Sequence, residues 1–297
     1  MTRQLLVTSA LPYANGDIHI GHLVEYIQTD IFVRFQQLIG NKCTYICADD
    51  THGTPIMINA KKQGISPEAL IATFHQKHQD DFKTFNIQFD YYGSTHTQEN
   101  QRLAEKIYNA AKTLNAIECR TVDQLYDPKE NMFLPDRFVK GTCPKCKAEN
   151  QYGDSCDKCS ETYSPQELIN PYSTLSGETP ITKSSEHYFF KVSQFQNIIK
   201  SWLDTNPIRQ EIKNKLQEWF DIGLKDWDIS RDEPYFGFKI PNTKNKYFYV
   251  WVDAPIGYIS TTQIWAKQHQ VDYLTFWKND NVEIHHFIGK DILYFHT

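Results

Sequence analysis

Residues 5–48 constrain the fold more than any other stretch of the chain. The apolar run Leu5-Leu6-Val7 is short enough for a buried strand, and Pro12-Tyr13-Ala14-Asn15-Gly16 breaks it. A helix is expected from about Asp17, with Asp17 as N-cap and Leu23, Ile27, Ile31, Phe35 and Leu38 as the stripe packed on a sheet. Gly40-Asn41 closes it. Cys43-Thr44-Tyr45-Ile46-Cys47-Ala48 then reads as a second strand running into Asp49-Asp50-Thr51-His52-Gly53-Thr54-Pro55. Strand, helix and strand make a parallel unit whose ligands gather at the carboxyl ends of the strands, where both polar loops lie.

The pattern continues. Leu70, Ile71, Phe74, His78, Phe82 and Phe85 predict a helix over 67–85, Phe89-Asp90-Tyr91-Tyr92 a strand, and Leu103, Ile107, Ala111 and Leu114 a helix over 98–114. His78, on an apolar face, reads as a satisfied core or boundary histidine. After 116 short strands and a cysteine cluster replace the alternation, until helices return at 193–204 and 208–220, the second striped by Ile208, Ile212, Leu216, Trp219 and Phe220. Residues 246–251 read as a strand that resumes the α/β pattern, followed by Asp253-Ala254-Pro255 and a helix. The expected fold is α/β, a doubly wound parallel Rossmann-type sheet split by an insertion. Its parts are 1–116, the insertion at 117–246 with a knuckle at about 127–164, and 247–297 as the start of the second half.

With 31 Lys+Arg against 36 Asp+Glu, the net charge of −5 gives no global attraction to polyanions. No apolar run approaches a membrane span, and the N-terminus lacks a signal-peptide pattern, so a cytoplasmic protein without membrane partners is expected.

Cys43, Cys47 and Cys119 read as buried small hydrophobes. Cys143-Pro-Lys-Cys146 and Cys156-Asp-Lys-Cys159 differ: each turn brings two thiolates to one point, and two turns close a tetrahedral cage with no open position. One structural Zn²⁺ is expected, against disulfides or redox thiols.

His19 and His22 share one face of the helix's first turn, and Gly21 allows a flat group to approach the backbone. Such a pair suits phosphate oxygens at a helix N-terminus, although two surface histidines or a metal pair have the same spacing.

Tyr13-Ala14-Asn15-Gly16-Asp17-Ile18-His19-Ile20-Gly21-His22 resembles the first signature of the class I aminoacyl-tRNA synthetases. Ala10-Leu11-Pro12-Tyr13, Ala48-Asp-Asp-Thr-His-Gly-Thr-Pro55, Phe133-Leu-Pro-Asp-Arg-Phe-Val-Lys-Gly-Thr-Cys-Pro-Lys-Cys146, Trp227-Asp-Ile-Ser-Arg-Asp232, Trp251-Val-Asp-Ala-Pro-Ile-Gly-Tyr258 and His286-Phe-Ile-Gly-Lys-Asp291 extend the likeness from end to end. Together they resemble, more narrowly, the bacterial methionyl-tRNA synthetase family.

The resemblance implies activation of methionine by Mg²⁺-ATP to methionyl-adenylate and its transfer to tRNA(Met). It implies that His19 and His22 contact the ATP phosphates, that Asn15 and Gly21 lie by the nucleotide, and that Gly289, Lys290 and Asp291 border the adenosine. Asp50 would hold the methionine ammonium with Arg231 nearby, and Ala10, Leu11, Tyr13, Trp251, Ala254, Pro255, Tyr258, Ile292 and His296 would form the side-chain pocket. Aromatic walls suit a polarizable thioether. Each of these residues also has a plainer reading: core packing for the aromatics, a cap for one of Asp49 and Asp50, an ion pair with Asp228 or Asp232 for Arg231. The family's second signature, Lys-Met-Ser-Lys-Ser, is absent; Thr182-Lys-Ser-Ser185 lies inside the insertion. A truncated, catalytically poor chain lacking the anticodon-binding domain is therefore expected. Another class I synthetase, a small nucleotidyltransferase, or a zinc-ribbon RNA-binding protein using Lys140, Lys145, Lys147 and Lys158 are the alternatives.

Overall fold

The computed structural model describes residues 2–206 and 208–296, with the side chains of Asp291, Tyr294 and Phe295 outside the described set. β1 (Gln4–Ser9), α1 (Ile20–Leu38) and β2 (Lys42–Asp49) realise the opening unit. Leu5 and Val7 pack with Leu23, Tyr26 and Val33 of α1, whereas Leu6 faces the opposite side with Ile46 and Phe276. A strand covered on both faces shows a continuous apolar run instead of alternation.

α1 differs from expectation in start and phase. Its N-cap is His19, not Asp17, whose carboxylate accepts instead from Lys77 Nζ at 3.1 Å on the surface. The buried face is Leu23, Tyr26, Thr29, Asp30, Val33 and Gln36, while Ile31, Phe35 and Leu38 are exposed. Buried polar partners explain the shift: Asp30 accepts the Gln88 N–H at 2.9 Å, and Gln36 accepts from the Asn41 amide at 2.7 Å. Satisfied polar side chains can sit inside, so counting apolar residues alone misplaces the stripe.

α2 (Thr54–Gln63) was not foreseen. It starts with Pro55 in its first turn and ends on left-handed Gly64, but it buries only Thr54, Ile56 and Ala60, too few for a legible stripe. α3 (Pro67–Thr84) is capped by Ser66, β3 (Tyr91–Ser94) follows, and α4 (Gln98–Thr113) is capped by Thr97. The buried face of α4 is Asn100, Ala104 and Tyr108, one residue round from the expected stripe, which leaves Ile107 and Leu114 exposed.

β4 (Ile117–Asp127) and β5 (Met132–Phe133) open the next part, followed by β6 (Val139–Thr142), β7 (Gln151–Tyr152), β8 (Ile169–Ser173) and β9 (Ile181–Phe190). β4 and β9 form a long antiparallel ribbon, and β7-β6-β8 is a separate three-stranded sheet beside the cysteines. α5 (Gln196–Thr205) and α6 (Gln210–Ile222) close on Leu203, Leu216 and Phe220, with Ile208, Ile212 and Trp219 packed against them. β10 (Trp227–Asp228) edges the ribbon, and β11 (Ser230–Asp232) pairs antiparallel with β12 (Lys246–Phe248). The expected parallel strand at 246–251 is thus three residues long and belongs to this two-stranded sheet, because α7 (Val250–Gln268) already begins at Val250 and holds Pro255 within it.

After α7 and the short α8 (Leu274–Trp277), β13 (Val282–Phe287) rejoins the first sheet, parallel to β1. The parallel order is β13-β1-β2-β3. The chain leaves β1 toward β2 on one side and returns on the other, so the crevice beyond the carboxyl end of β1 is the switch point where α/β sheets bind ligands. Among the described residues no helix is long and apolar enough to cross a membrane.

Candidate active site

The switch point is occupied by the first turn of α1. His19 Nδ1 accepts the N–H of Gly21 at 3.1 Å and of His22 at 3.4 Å, and His22 Nδ1 accepts the His19 N–H at 3.3 Å. A backbone N–H only donates, so each neutral ring must carry its proton on Nε2. The rings stack at 3.8 Å between centroids. Burial, with His19 beside it, lowers the His22 pKa and keeps that ring neutral. The turn thus presents paired Nε2–H donors beside the positive end of a helix, a geometry that suits phosphate oxygens. Gly21 has an unexpected partner: a Cβ there would lie 2.9 Å from His19 Cε1, so the flat group it admits is the capping imidazole.

Asp50 follows β2 directly and is fixed by the backbone. Its N–H donates to Pro12 O and its carbonyl accepts from the Ala14 N–H, both at 2.8 Å. Its Oδ1 is buried without a partner. Burial, then the neighbouring Asp253, push its pKa well above the usual carboxylate range, against N–H donors from His52 and Thr51. Asp253 is itself fully buried on α7, accepts from His52 Nδ1 at 2.6 Å, and has an unpartnered Oδ1. His52 Nε2 meets His96 Nδ1 at 3.0 Å. Sequence reasoning missed Asp253, His52 and His96, which are far apart in the chain.

Leu11, Asp50, Trp251, Ala254, Pro255, Tyr258, Ile292 and His296 line one cavity of about 80 Å³. His296 Nδ1 donates to the Ile292 carbonyl at 2.9 Å, and burial lowers its pKa, so its Nε2 is an acceptor for the Tyr258 hydroxyl, which donates to it at 2.9 Å. The polar tips of Tyr258 and His296 are therefore paired with each other. Tyr13 stands outside it, donating to the His52 carbonyl at 2.9 Å, in a cleft of about 910 Å³ that also touches Asp50, Arg231, Tyr249 and Phe133. Ala10 lines neither; its N–H reaches Glu25 Oε1 at 2.7 Å and its carbonyl accepts from Tyr26.

Arg231 lies over the Tyr249 ring, 3.9 Å from its centroid, with Nη1 3.5 Å from Asp228 Oδ2. Behind it, buried His187 spans Asp228 at 2.7 Å and Asp232 at 3.1 Å. Burial opposes the shift, but the bonds to both carboxylates raise the His187 pKa. Both partners accept, so the ring is doubly protonated when both bonds are made. The ion-pair reading of Arg231 and its exposure to the cleft are therefore both realised.

Asn15 accepts from the Asn59 amide at 2.9 Å. Gly289 and Lys290 are exposed beyond β13, and the Asp291 side chain lies outside the described residues. Of the three scattered cysteines only Cys47 is fully buried; Cys119 is exposed on β4, where its strand faces solvent.

The sulfurs of Cys143, Cys146, Cys156 and Cys159 all lie within 4.8 Å of one another, with Cys143 to Cys159 at 3.8 Å and Cys146 to Cys156 at 3.5 Å. A metal–sulfur bond of about 2.3 Å implies a tetrahedral edge of about 3.8 Å, far longer than a disulfide of about 2.05 Å. The four thiols fit a tetrahedral metal ion. Nearby, Lys145 pairs with Glu161, and Lys140 lies over Tyr152.

Two solved structures share this fold: Mycobacterium tuberculosis methionyl-tRNA synthetase bound by methionyl-adenylate, and the same enzyme in complex with methionyl-adenylate. Each matches at TM-score 0.73 and 22% identity, covering 99% of this chain and 53% of the other. The chain spans about half the length of these proteins, and at that identity the likeness is one of fold. The family model tRNA synthetases class I (M) matches residues 5–297, and the chain belongs to that family of class I tRNA synthetases.

Proposed function

We propose that the chain carries the amino-acid and part of the nucleotide site of a methionyl-tRNA synthetase, forming methionyl-adenylate from methionine and Mg²⁺-ATP. The observation that carries this reading is a buried carboxylate with an unpartnered oxygen, Asp50, in the wall of an apolar cavity whose polar tips are already paired. Such a site takes an ammonium at one end and an uncharged, apolar side chain at the other. Trp251 and Tyr258 supply rings for a thioether, while a side chain that must accept a hydrogen bond would find no free donor on Tyr258 or His296.

In this reading the methionine carboxylate attacks the α-phosphorus, the bond to the bridging oxygen breaks, and pyrophosphate leaves. The Nε2–H groups of His19 and His22 donate to phosphate oxygens as charge builds, and the α1 N-terminus adds its dipole. Asp50 anchors the ammonium, and Arg231 adds positive charge across the cleft. Tyr13 lines the adjoining cleft, Asn15 and Gly21 lie by the nucleotide, and Gly289, Lys290 and Asp291 border the adenosine.

The four cysteines hold one structural Zn²⁺, which ties the turns of the insertion together. Residues 1–116 and 247–297 are the two parts of a split catalytic domain, and 117–246 the insertion. The protein works in the cytoplasm and, as part of a longer synthetase, passes methionine to tRNA(Met). The 297 residues hold no Lys-Met-Ser-Lys-Ser run, so these residues alone are slow catalysts. Calorimetric titration with methionine, leucine and glutamine tests the reading. Selective methionine binding is expected; equal binding of all three, or none, overturns it.

A further inference from the structure

We propose that His78 is a positioning residue for the phosphate-binding turn, a buried imidazolium whose two N–H groups tie the loop at 15–17 to the end of β2. The proposal rests on the reading of His19 and His22 as phosphate donors. The sequence marks His78 only as a core residue of α3.

Its side chain is fully buried, yet both ring nitrogens have partners: Nδ1 lies 2.6 Å from Asp49 Oδ1, and Nε2 lies 2.8 Å from the Gly16 carbonyl oxygen. The carbonyl can only accept, which fixes a proton on Nε2. Asp49 decides the other nitrogen. Gln79 Nε2 donates to His75 Nε2 at 2.5 Å, so the neutral His75 ring donates through Nδ1 to Asp49 Oδ2, also at 2.5 Å. The Tyr92 hydroxyl donates to Asp49 Oδ1 at 2.5 Å. Burial would raise Asp49, but the bonds from His75, His78 and Tyr92 and the His78 charge hold it below the usual carboxylate range. An ionised Asp49 leaves His78 Nδ1 as a second donor. The ring is doubly protonated, consistent with the upward direction of its pKa against burial.

The groups around it come from every neighbouring element. Asp49 lies on β2, Tyr92 on β3, His75, Lys77 and Asp81 on α3 itself, His22 on α1, and Asp17 on the loop. His22, which His78 disfavours as a cation, is one of the two phosphate donors. Gly16 precedes the N-cap His19 by three residues. Other ties on this loop are weaker: Lys77 to Asp17 is solvent-exposed, and Asn59 to Asn15 joins neutral groups. If His78 loses its second proton, either Gly16 or Asp49 loses a buried donor, and the loop that aims α1 is released.

The test uses the 297-residue chain. Nitrogen NMR of the histidine rings is expected to show His78 protonated on both nitrogens at pH 7.5, and Mg²⁺-ATP affinity to fall as that resonance titrates. His78→Gln is expected to leave methionine affinity within about twofold, to weaken ATP roughly tenfold, and to flatten the pH dependence over the same interval. A neutral His78 at pH 7.5 overturns the inference without any variant having to fold. So does a folded His78→Gln protein with unchanged ATP affinity and pH profile. A wild-type chain that binds no ATP ends the positioning role together with the function it serves, whereas the ring's protonation is still decided by NMR, which separates the two failures.

Discussion

Replacing Asp50 by Asn separates the cost of a buried carboxylate from its use. The substitution keeps the shape and the acceptor for the Thr51 and His52 N–H groups but removes the charge. In the free protein Asp50 sits among apolar walls near Asp253, with Oδ1 unpartnered, and its pKa is raised well above 3.8 by burial first and Asp253 second. The sign follows from linkage. A group with a raised folded pKa contributes its full stability below the unfolded value, near 4, and loses it as pH rises through the folded value. At neutral pH the wild-type carboxylate is a burden, so Asp50→Asn is expected to melt at or above the wild-type temperature, with the gap closing toward pH 4.

Methionine binding moves the opposite way. Removing one partner of a buried ion pair costs about 3–5 kcal/mol, a loss of roughly 150- to 5,000-fold in affinity. Calorimetry in buffers of different ionisation enthalpy should also show the wild type releasing up to one proton as the ammonium drives Asp50 to ionise, and the variant releasing none. Methionine stripped of its amino group closes the cycle: it should bind the wild type as poorly as methionine binds the variant, with no further loss when both changes are combined. A variant that binds methionine within about threefold of wild type, or that unfolds, refutes the assignment of Asp50 to the ammonium.

Metal analysis of the purified chain should find one zinc, and Cys146→Ser or a strong chelator should remove it and lower the melting temperature; a metal-free chain with unchanged melting would sink the zinc centre. His187→Asn should reduce stability by about 2 kcal/mol, because it deletes hydrogen bonds to two carboxylates. Since the His187 pKa is raised, that difference should be full below about pH 6.5 and shrink as pH rises through the folded value; a pH-independent difference in melting temperature would contradict a charged ring.

What could be read from the chain followed local rules. The strand-loop-helix turn with His19 and His22, the paired Cys-x-x-Cys turns and the apolar face of α6 all lie in short stretches where spacing and chemistry coincide. The phase of α1 escaped because Asp30 and Gln36 are buried through hydrogen bonds to residues in other elements, and hydrophobic periodicity cannot see such partners. β12 escaped because an apolar, aromatic run suits either sheet, and only its pairing with β11 decides which. The polar network beside Asp50 joins residues 201 positions apart, as His52 and Asp253 are, and no local pattern marks such a pair.

The neighbours Asp49 and Asp50 show how one short motif supplies both a satisfied and an unsatisfied carboxylate. Successive residues of an extended chain point to opposite faces. Asp49 at the end of β2 therefore turns toward α3, where His75 and His78, joined by Tyr92 of β3, satisfy it, and Asp50 turns toward α7, where it meets Asp253 and the cavity. The bridge between Tyr13 and Asp50 carries the extended conformation one residue past the strand, which is what secures the alternation. Two adjacent carboxylates would repel if both were ionised and equally exposed. With three donors on the first and none on Oδ1 of the second, Asp49 stays charged in the free protein while Asp50 is held toward its neutral form. His78, one of the groups that satisfy Asp49, thus also ties the loop at 15–17 to the strand end on one face of the sheet, and the same strand end presents an unsatisfied carboxylate on the other.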